Sequence, residues 1–161
     1  MGGNKISGKK EHDLLFFLLS HHSRRKLHRT IQVTFRGKKM YLCARCTGIC
    51  SGILSTIALR FLGFVVPYVL YVPLISALPA PATLDWMTQS CGLRESRNAI
   101  RITTGYLLGA AEGLALLLLA SGMLQLFLMV VAVVGVYFLM IYAVALKTRF
   151  IDSYLMENFK E

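Results

Sequence analysis

The chain has 161 residues, 55% of them hydrophobic and 16% charged, with a formal net charge of +10 at neutral pH. That length allows one domain, and the composition is too apolar for an ordinary soluble domain of this size. The charge is also uneven, because residues 1–46 hold eleven of the eighteen Lys and Arg and only Glu11 and Asp13 oppose them. A polytopic membrane protein with a basic cytosolic arm is the expectation. A cleaved signal peptide is not expected: the apolar run Leu14–Leu19 is short, and histidines and arginines follow it instead of a small-residue cleavage site.

In chain order, Leu14–Leu19 reads as a short helix at the interface. The runs "HRTIQVTF" and "KMYLCARC" follow, separated by "RGKK". Alternation of Ile, Val and Phe with polar residues predicts a β-hairpin turning at Gly37. A bilayer's hydrocarbon core takes about 20 apolar residues to span as a helix. Four segments are candidates: 47–63, 64–81, 99–120 and 123–146. The second holds all four prolines, and a kink is expected at Pro73 because proline removes a backbone donor and crowds the preceding turn. The resulting layout is a basic cytosolic or interfacial arm over 1–42, an all-α four-helix transmembrane domain over 43–146, and a cytosolic tail over 147–161.

Orientation comes from the loops. Lys and Arg favour the cytoplasmic side. The arm is basic, the 82–98 loop carries Arg94 and Arg97 with Arg101 just beyond, and the tail opens Lys147-Thr148-Arg149. The connections near Gly63 and at Ser121-Gly122 are uncharged. Both termini are therefore expected in the cytoplasm, with Arg60 snorkelling at the far interface.

Two groups of residues are candidates for chemistry. Cys43 and Cys46 are three apart at the cytoplasmic end of the first span, where a reducing compartment disfavours a structural disulfide. Two thiolates at this spacing on a tight turn reach one metal. His21 and His22 are the candidate further ligands, with His28, Cys50 and Asp85 as substitutes, and zinc, or another transition metal, is the expected ion. Three readings of the pair stay open: metal knuckle, simple packing at a helix start, and redox chemistry.

The second group is "LDWMTQSCGLRESRNAIRITTGYLLGAAEG". Asp85 and Gln89 share one helical face if that stretch is helical, Gly92 allows a turn, and Ser96 is the candidate N-cap of the third span. At 100° per residue Asn98, Arg101, Gly105, Gly109 and Glu112 fall in one stripe, with Glu112 about 16 Å below Arg101. An ionisable group at that depth is expensive and should face the bundle interior or a wet cavity. The bland readings are close helix packing for Gly105, Gly109, Gly113, Gly48 and Gly52, a hydrogen-bonded neutral acid for Glu112, and topology control or lipid-phosphate contact for Arg94 and Arg97. The expected geometry folds the 82–98 loop over the cysteine knuckle and leaves a polar crevice between the first and third spans, lined by Arg101 and Glu112.

These two motifs, "LCARCTGI" and D-x-x-x-Q-x-x-G-L-R-E-S-x-N-x-x-R-x-x-T-G, resemble a widespread family of small multi-pass membrane proteins catalogued as a domain of unknown function. The resemblance covers roughly residues 20–113. The matching positions are His21, Cys43, Arg45, Cys46, Thr47, Gly48, Asp85, Gln89, Gly92, Arg94, Ser96, Asn98, Arg101 and Gly105. Family members commonly have Cys-His where this chain has Ser20-His21, which removes a thiol ligand, and Asp-Gly where it has Asp85-Trp86. The resemblance implies a site assembled from both motifs and supplies no reaction.

The first functional reading is a small membrane-embedded enzyme acting on a lipid-linked or phosphate-bearing substrate. In it a metal polarises an oxygen or activates water, Asp85 serves as acid/base or extra ligand, Arg94 and Arg101 hold the anion, and Gln89 and Glu112 complete the site. The second is a non-catalytic subunit or assembly factor, a homo-oligomer or part of a membrane complex, stapled by a closed metal site. A third, an RNA- or ribosome-binding arm, rests on Arg24, Arg25, Lys26, Arg29, Arg36, Lys38 and Lys39. Those residues serve anionic lipid equally well, at about 1 kcal/mol each, so lipid head groups are the expected partner and nucleic acid is not.

Overall fold

The structure, a computed structural model, describes residues 29–35 and 38–148. Strands β1 (Thr30–Phe35) and β2 (Lys38–Cys43) pair antiparallel with Thr30 opposite Cys43 and Phe35 opposite Lys38. The hairpin is where alternation places it. Its two connecting residues, Gly37 among them, lie outside the described residues, as do Leu14–Leu19, His21, His22 and His28.

Strand β2 passes directly into α1 (Ala44–Phe61), and a 3-10 turn at Tyr68–Leu70 precedes α2 (Tyr71–Ala77). Then come α3 (Ala80–Ser90), α4 (Asn98–Ala120) and α5 (Leu124–Lys147). Among the described residues two helices, α4 and α5, are long and apolar enough to cross a bilayer. The core helix of a soluble protein passes the same test, but such a helix is mostly buried. Here only 6% of the most apolar stretch of α5 is buried, and Leu128, Val136, Phe138, Leu139 and Tyr142 face outward. An apolar face of that extent needs lipid or a partner against it.

The sequence-based expectation for 64–81 is corrected. That segment is not one helix kinked at Pro73. Pro73 sits in the first turn of α2, where its missing N–H has no intrahelical acceptor to lose. The interruption falls between α2 and α3, where Pro79 and Pro81 both lack an N–H. The hydroxyl of Tyr137 on α5 donates to the Ser76 carbonyl beside this break. The expected 82–98 loop is corrected too, since α3 continues to Ser90 and only 91–97 connect it to α4. Gly92, at φ +69°, makes the turn out of α3. The N-cap of α4 is Arg97, with no side-chain cap bond, and not Ser96.

Helices α1 and α4 form the most extensive interface, and they run parallel. Gly48 lies against Ile102, Gly52 against Tyr106, Gly105 against Arg45 and Gly109 against Ile49. A methyl group added at Gly48, Gly52 or Gly109 would fall on a backbone carbonyl oxygen of the facing helix, and one at Gly113 would lie 2.9 Å from Cβ of Thr56. Small residues here let two backbones touch, which is how helices gain dispersion contact where no hydrophobic drive exists. The Ser55 hydroxyl bonds that of Tyr106 across the same seam, at 2.9 Å. Parallel α1 and α4 require the chain between them to return. It does so through α2 and α3: Tyr71 and Ile75 pack with Leu114, Leu118 and Val130 at one end, and Asp85 reaches Arg45 at the other.

Candidate functional site

Asp85 is the centre of the polar end. It is 2% exposed, and a buried carboxylate is tolerated only when paired and hydrogen-bonded. Its Oδ2 accepts from the Arg45 guanidinium, and from Gln89 Nε2 at 2.8 Å. Oδ1 accepts from Arg94 Nη2 at 3.0 Å. Helical spacing of four sets Gln89 over Asp85, and the Gln89 amide also donates to the Asp85 carbonyl at 2.8 Å. Gln89 Oε1 in turn accepts from Arg101, which is 5% exposed and whose Nε donates to the Ser96 carbonyl at 3.2 Å. Arg94 Nε donates to Thr88 Oγ1 at 3.3 Å. The network thus ties α1, α3, the 91–97 connection and α4 together. Three guanidinium groups gather around one carboxylate, so the cluster keeps a positive excess. Arg45 Nε is buried with no partner among the described residues.

The hairpin docks beside this cluster. Arg29 pairs with Glu95 at 2.9 Å, and Asn98 Nδ2 donates to the Thr30 carbonyl at 3.2 Å. Glu95 is largely exposed, so that pair is worth at most about 1 kcal/mol.

An apolar cavity of about 350 Å³ opens next to the cluster between α2, α3, α4 and α5, with Arg45, Thr83, Trp86, Leu108, Glu112 and Tyr137 on its wall. That volume lies within the usual range for small-molecule sites. A second apolar cavity, about 420 Å³, shares Thr83 and Tyr137 with the first.

The sequence-predicted residues therefore divide. Asp85, Gln89, Arg94 and Arg101 come together, and Arg45, which the sequence reading did not place in the site, joins them. A charged residue between two cysteines at the head of an apolar segment was the available signal. Glu112 does not share a crevice with Arg101 between α1 and α4. The glycines close that seam, and Glu112, itself exposed, lies instead on the wall of the 350 Å³ cavity. It has no hydrogen-bond or ion-pair partner among the described residues.

Cys43 is buried, and Cys46, in the first turn of α1 ahead of the apolar stretch, is half-buried. The hydrogen bond between the two thiols, then burial, then repulsion from a Cys43 thiolate, push the Cys46 thiol well above its ordinary value. No cluster of three or more His, Cys, Asp or Glu side chains suited to a metal occurs among the described residues. Cys43 and Cys46 stand side by side, and Asp85 already spends both oxygens on other partners.

Apolar helices with outward-facing hydrophobic surface and a charged cluster at one end define a membrane protein. The model of the family described as "Predicted membrane protein (DUF2085)" matches residues 24–115, more than half of the chain, and the chain belongs to that family. An uncharacterized protein of Methanothermobacter thermautotrophicus is 41% identical over 93 residues, 58% of this chain and 80% of that one. An uncharacterized protein of Methanocaldococcus jannaschii is 44% identical over 78 residues, 45% of this chain and 48% of that one. No solved structure matches.

Proposed function

We propose that this protein holds a phosphate-bearing lipid within the bilayer, with the phosphate on the arginine cluster and the chain in the adjoining apolar cavity. One observation carries the reading: Arg45 and Arg94 meet on the single carboxylate of Asp85, Arg101 joins them through Gln89, and Arg45 also lines a cavity whose other walls are mostly apolar. Guanidinium groups match phosphate oxygens in geometry as well as charge. In a narrower form of the proposal the protein acts chemically on that lipid. Asp85 then serves as the carboxylate that positions the arginines, since both of its oxygens are occupied.

The test is a titration in non-ionic detergent micelles with short-chain phosphatidic acid and with diacylglycerol of the same chains. Trp86, the sole tryptophan, lines the cavity and reports binding by its fluorescence. The phosphate should improve affinity about tenfold or more, and Arg94→Gln should remove about tenfold, as expected for one charge-assisted hydrogen bond. Equal affinity for the two lipids contradicts the reading.

The proposal includes four membrane crossings, by α1, the α2–α3 pair, α4 and α5, with the arginine cluster and both termini on the cytoplasmic side. Parallel α1 and α4, the intervening return and the basic character of that end support it. In a cysteine-free background on intact cells, a membrane-impermeant thiol reagent should label Ser121→Cys and spare Thr148→Cys. Labelling of Thr148→Cys alone would reverse the orientation, and labelling of both would break the four-crossing arrangement.

A further inference from the structure

We propose that the phosphate-bearing lipid has two apolar chains, one in the 350 Å³ cavity that Arg45 lines and the other in the neighbouring 420 Å³ cavity. The proposal rests on the phosphate-lipid reading above and adds to it the class of lipid. The two cavities lie side by side at one depth. On α2 and α3 the first is lined between Ile75 and Trp86 and the second between Ser76 and Leu84. On α5 the first is lined between Val134 and Ile141 and the second between Val133 and Met140. Both therefore follow the same stretch of α3 and α5, which touch each other, and Thr83 and Tyr137 belong to both walls.

The chemistry of the second cavity selects its occupant. Three hydroxyl residues line it, Ser76, Thr83 and Tyr137, and a hydroxyl has one hydrogen to donate. Ser76 donates to the Val72 carbonyl at 2.7 Å, Thr83 to the Pro79 carbonyl at 3.1 Å, and Tyr137 to the Ser76 carbonyl. Ala80, Leu84, Val133, Val136 and Met140 complete the wall and offer no side-chain donor. A phosphate placed there would lose its hydrogen bonds to water and gain none, whereas a hydrocarbon chain has none to lose. Position selects which chain. Leu84, on this wall, directly precedes Asp85, the carboxylate on which Arg45 and Arg94 meet. Two chains that leave one head group at the arginine cluster therefore pass down either side of Thr83 and Tyr137. Leu84, Val136 and Met140 are exposed, so the second chain enters sideways from the bilayer. A single-chain phosphate would fill the cavity beside Arg45 and leave the second to whatever lipid surrounds the protein.

The probes are short-chain phosphatidic acid and lysophosphatidic acid with the same chain, titrated in non-ionic detergent with Trp86 fluorescence as the signal. Neighbouring positions on α5 separate the cavities: Val133→Phe adds bulk to the second and Val134→Phe to the first. Wild type should bind phosphatidic acid about tenfold or more tighter than lysophosphatidic acid. Val133→Phe should bring phosphatidic acid down to the level of lysophosphatidic acid, whose own affinity stays within about twofold of wild type. Ala80→Leu, which enters the second cavity from α3, should repeat that selective loss. Val134→Phe should weaken both lipids. The proposal is overturned if wild type binds the two lipids equally, if Val133→Phe and Ala80→Leu leave phosphatidic acid unaffected, or if they weaken both lipids alike. Indifference of both lipids to Val134→Phe overturns the placing of the first chain. Failure of both lipids to bind wild type at all brings down the phosphate reading beneath the proposal, a separate and recognisable result.

Discussion

Asp85→Ala should destabilise the protein by about 3–5 kcal/mol, the usual cost of removing one partner from a buried charge network. Arg45 and Arg94 lose their counter-charge together, and Gln89 loses the acceptor that orients it toward Arg101. Most of the loss should come through Arg45, because Arg94 is 45% exposed and water screens it. Thermal unfolding in one detergent, followed by Trp86 fluorescence, measures the effect. Asp85→Asn keeps the shape and some hydrogen bonds and should fall between wild type and alanine. An alanine variant within about 1 kcal/mol of wild type would show that the carboxylate does not organise the arginines.

Gly109→Ala should cost about 3 kcal/mol, although it adds one methyl group and improves helix propensity. The new carbon would meet the Ile49 carbonyl, a backbone atom that cannot turn aside, so α1 and α4 must separate along the seam. Gly135 in α5 is the internal control. A Cβ there meets nothing within 4 Å, so Gly135→Ala should be neutral or stabilising by up to about 1 kcal/mol. Equal stability of the two variants would mean that the helices do not pack through their glycines.

The sequence carried the membrane character, the hairpin, and the extents of α4 and α5 to within a residue or two, because each rests on a local pattern: apolar length, alternation, or a charged boundary. It did not locate the break before α3. A proline in a helix's first turn costs nothing while one in its interior ends it, and four prolines in one segment do not say which is which. Periodicity placed Arg101, Gly105, Gly109 and Glu112 on one stripe of α4, but a stripe does not reveal which neighbour each residue meets. The glycines met α1, Arg101 met Gln89, and Glu112 met the cavity. Ser96 looked like a cap by residue type, yet its backbone carbonyl is engaged by Arg101 and the helix starts one residue later. Arg45 was hidden for another reason. It stands at the end of an arm rich in basic residues, and only a three-dimensional contact separates an arginine that anchors a buried carboxylate from arginines that face lipid or water. Cys43 and Cys46 are adjacent as the spacing requires, while the histidines paired with them in the sequence reading lie outside the described residues.

The central claim, a lipid phosphate seated on the arginine cluster, is tested most directly by a solid-state NMR distance measurement between ¹⁵N-labelled arginine side chains and lipid ³¹P in reconstituted membranes. The account predicts a guanidinium–phosphorus contact in wild type that weakens in Arg94→Gln and disappears in Asp85→Ala where the protein remains folded. Identical signals in wild type and Arg94→Gln, arising only from arginines elsewhere in the chain, would contradict it.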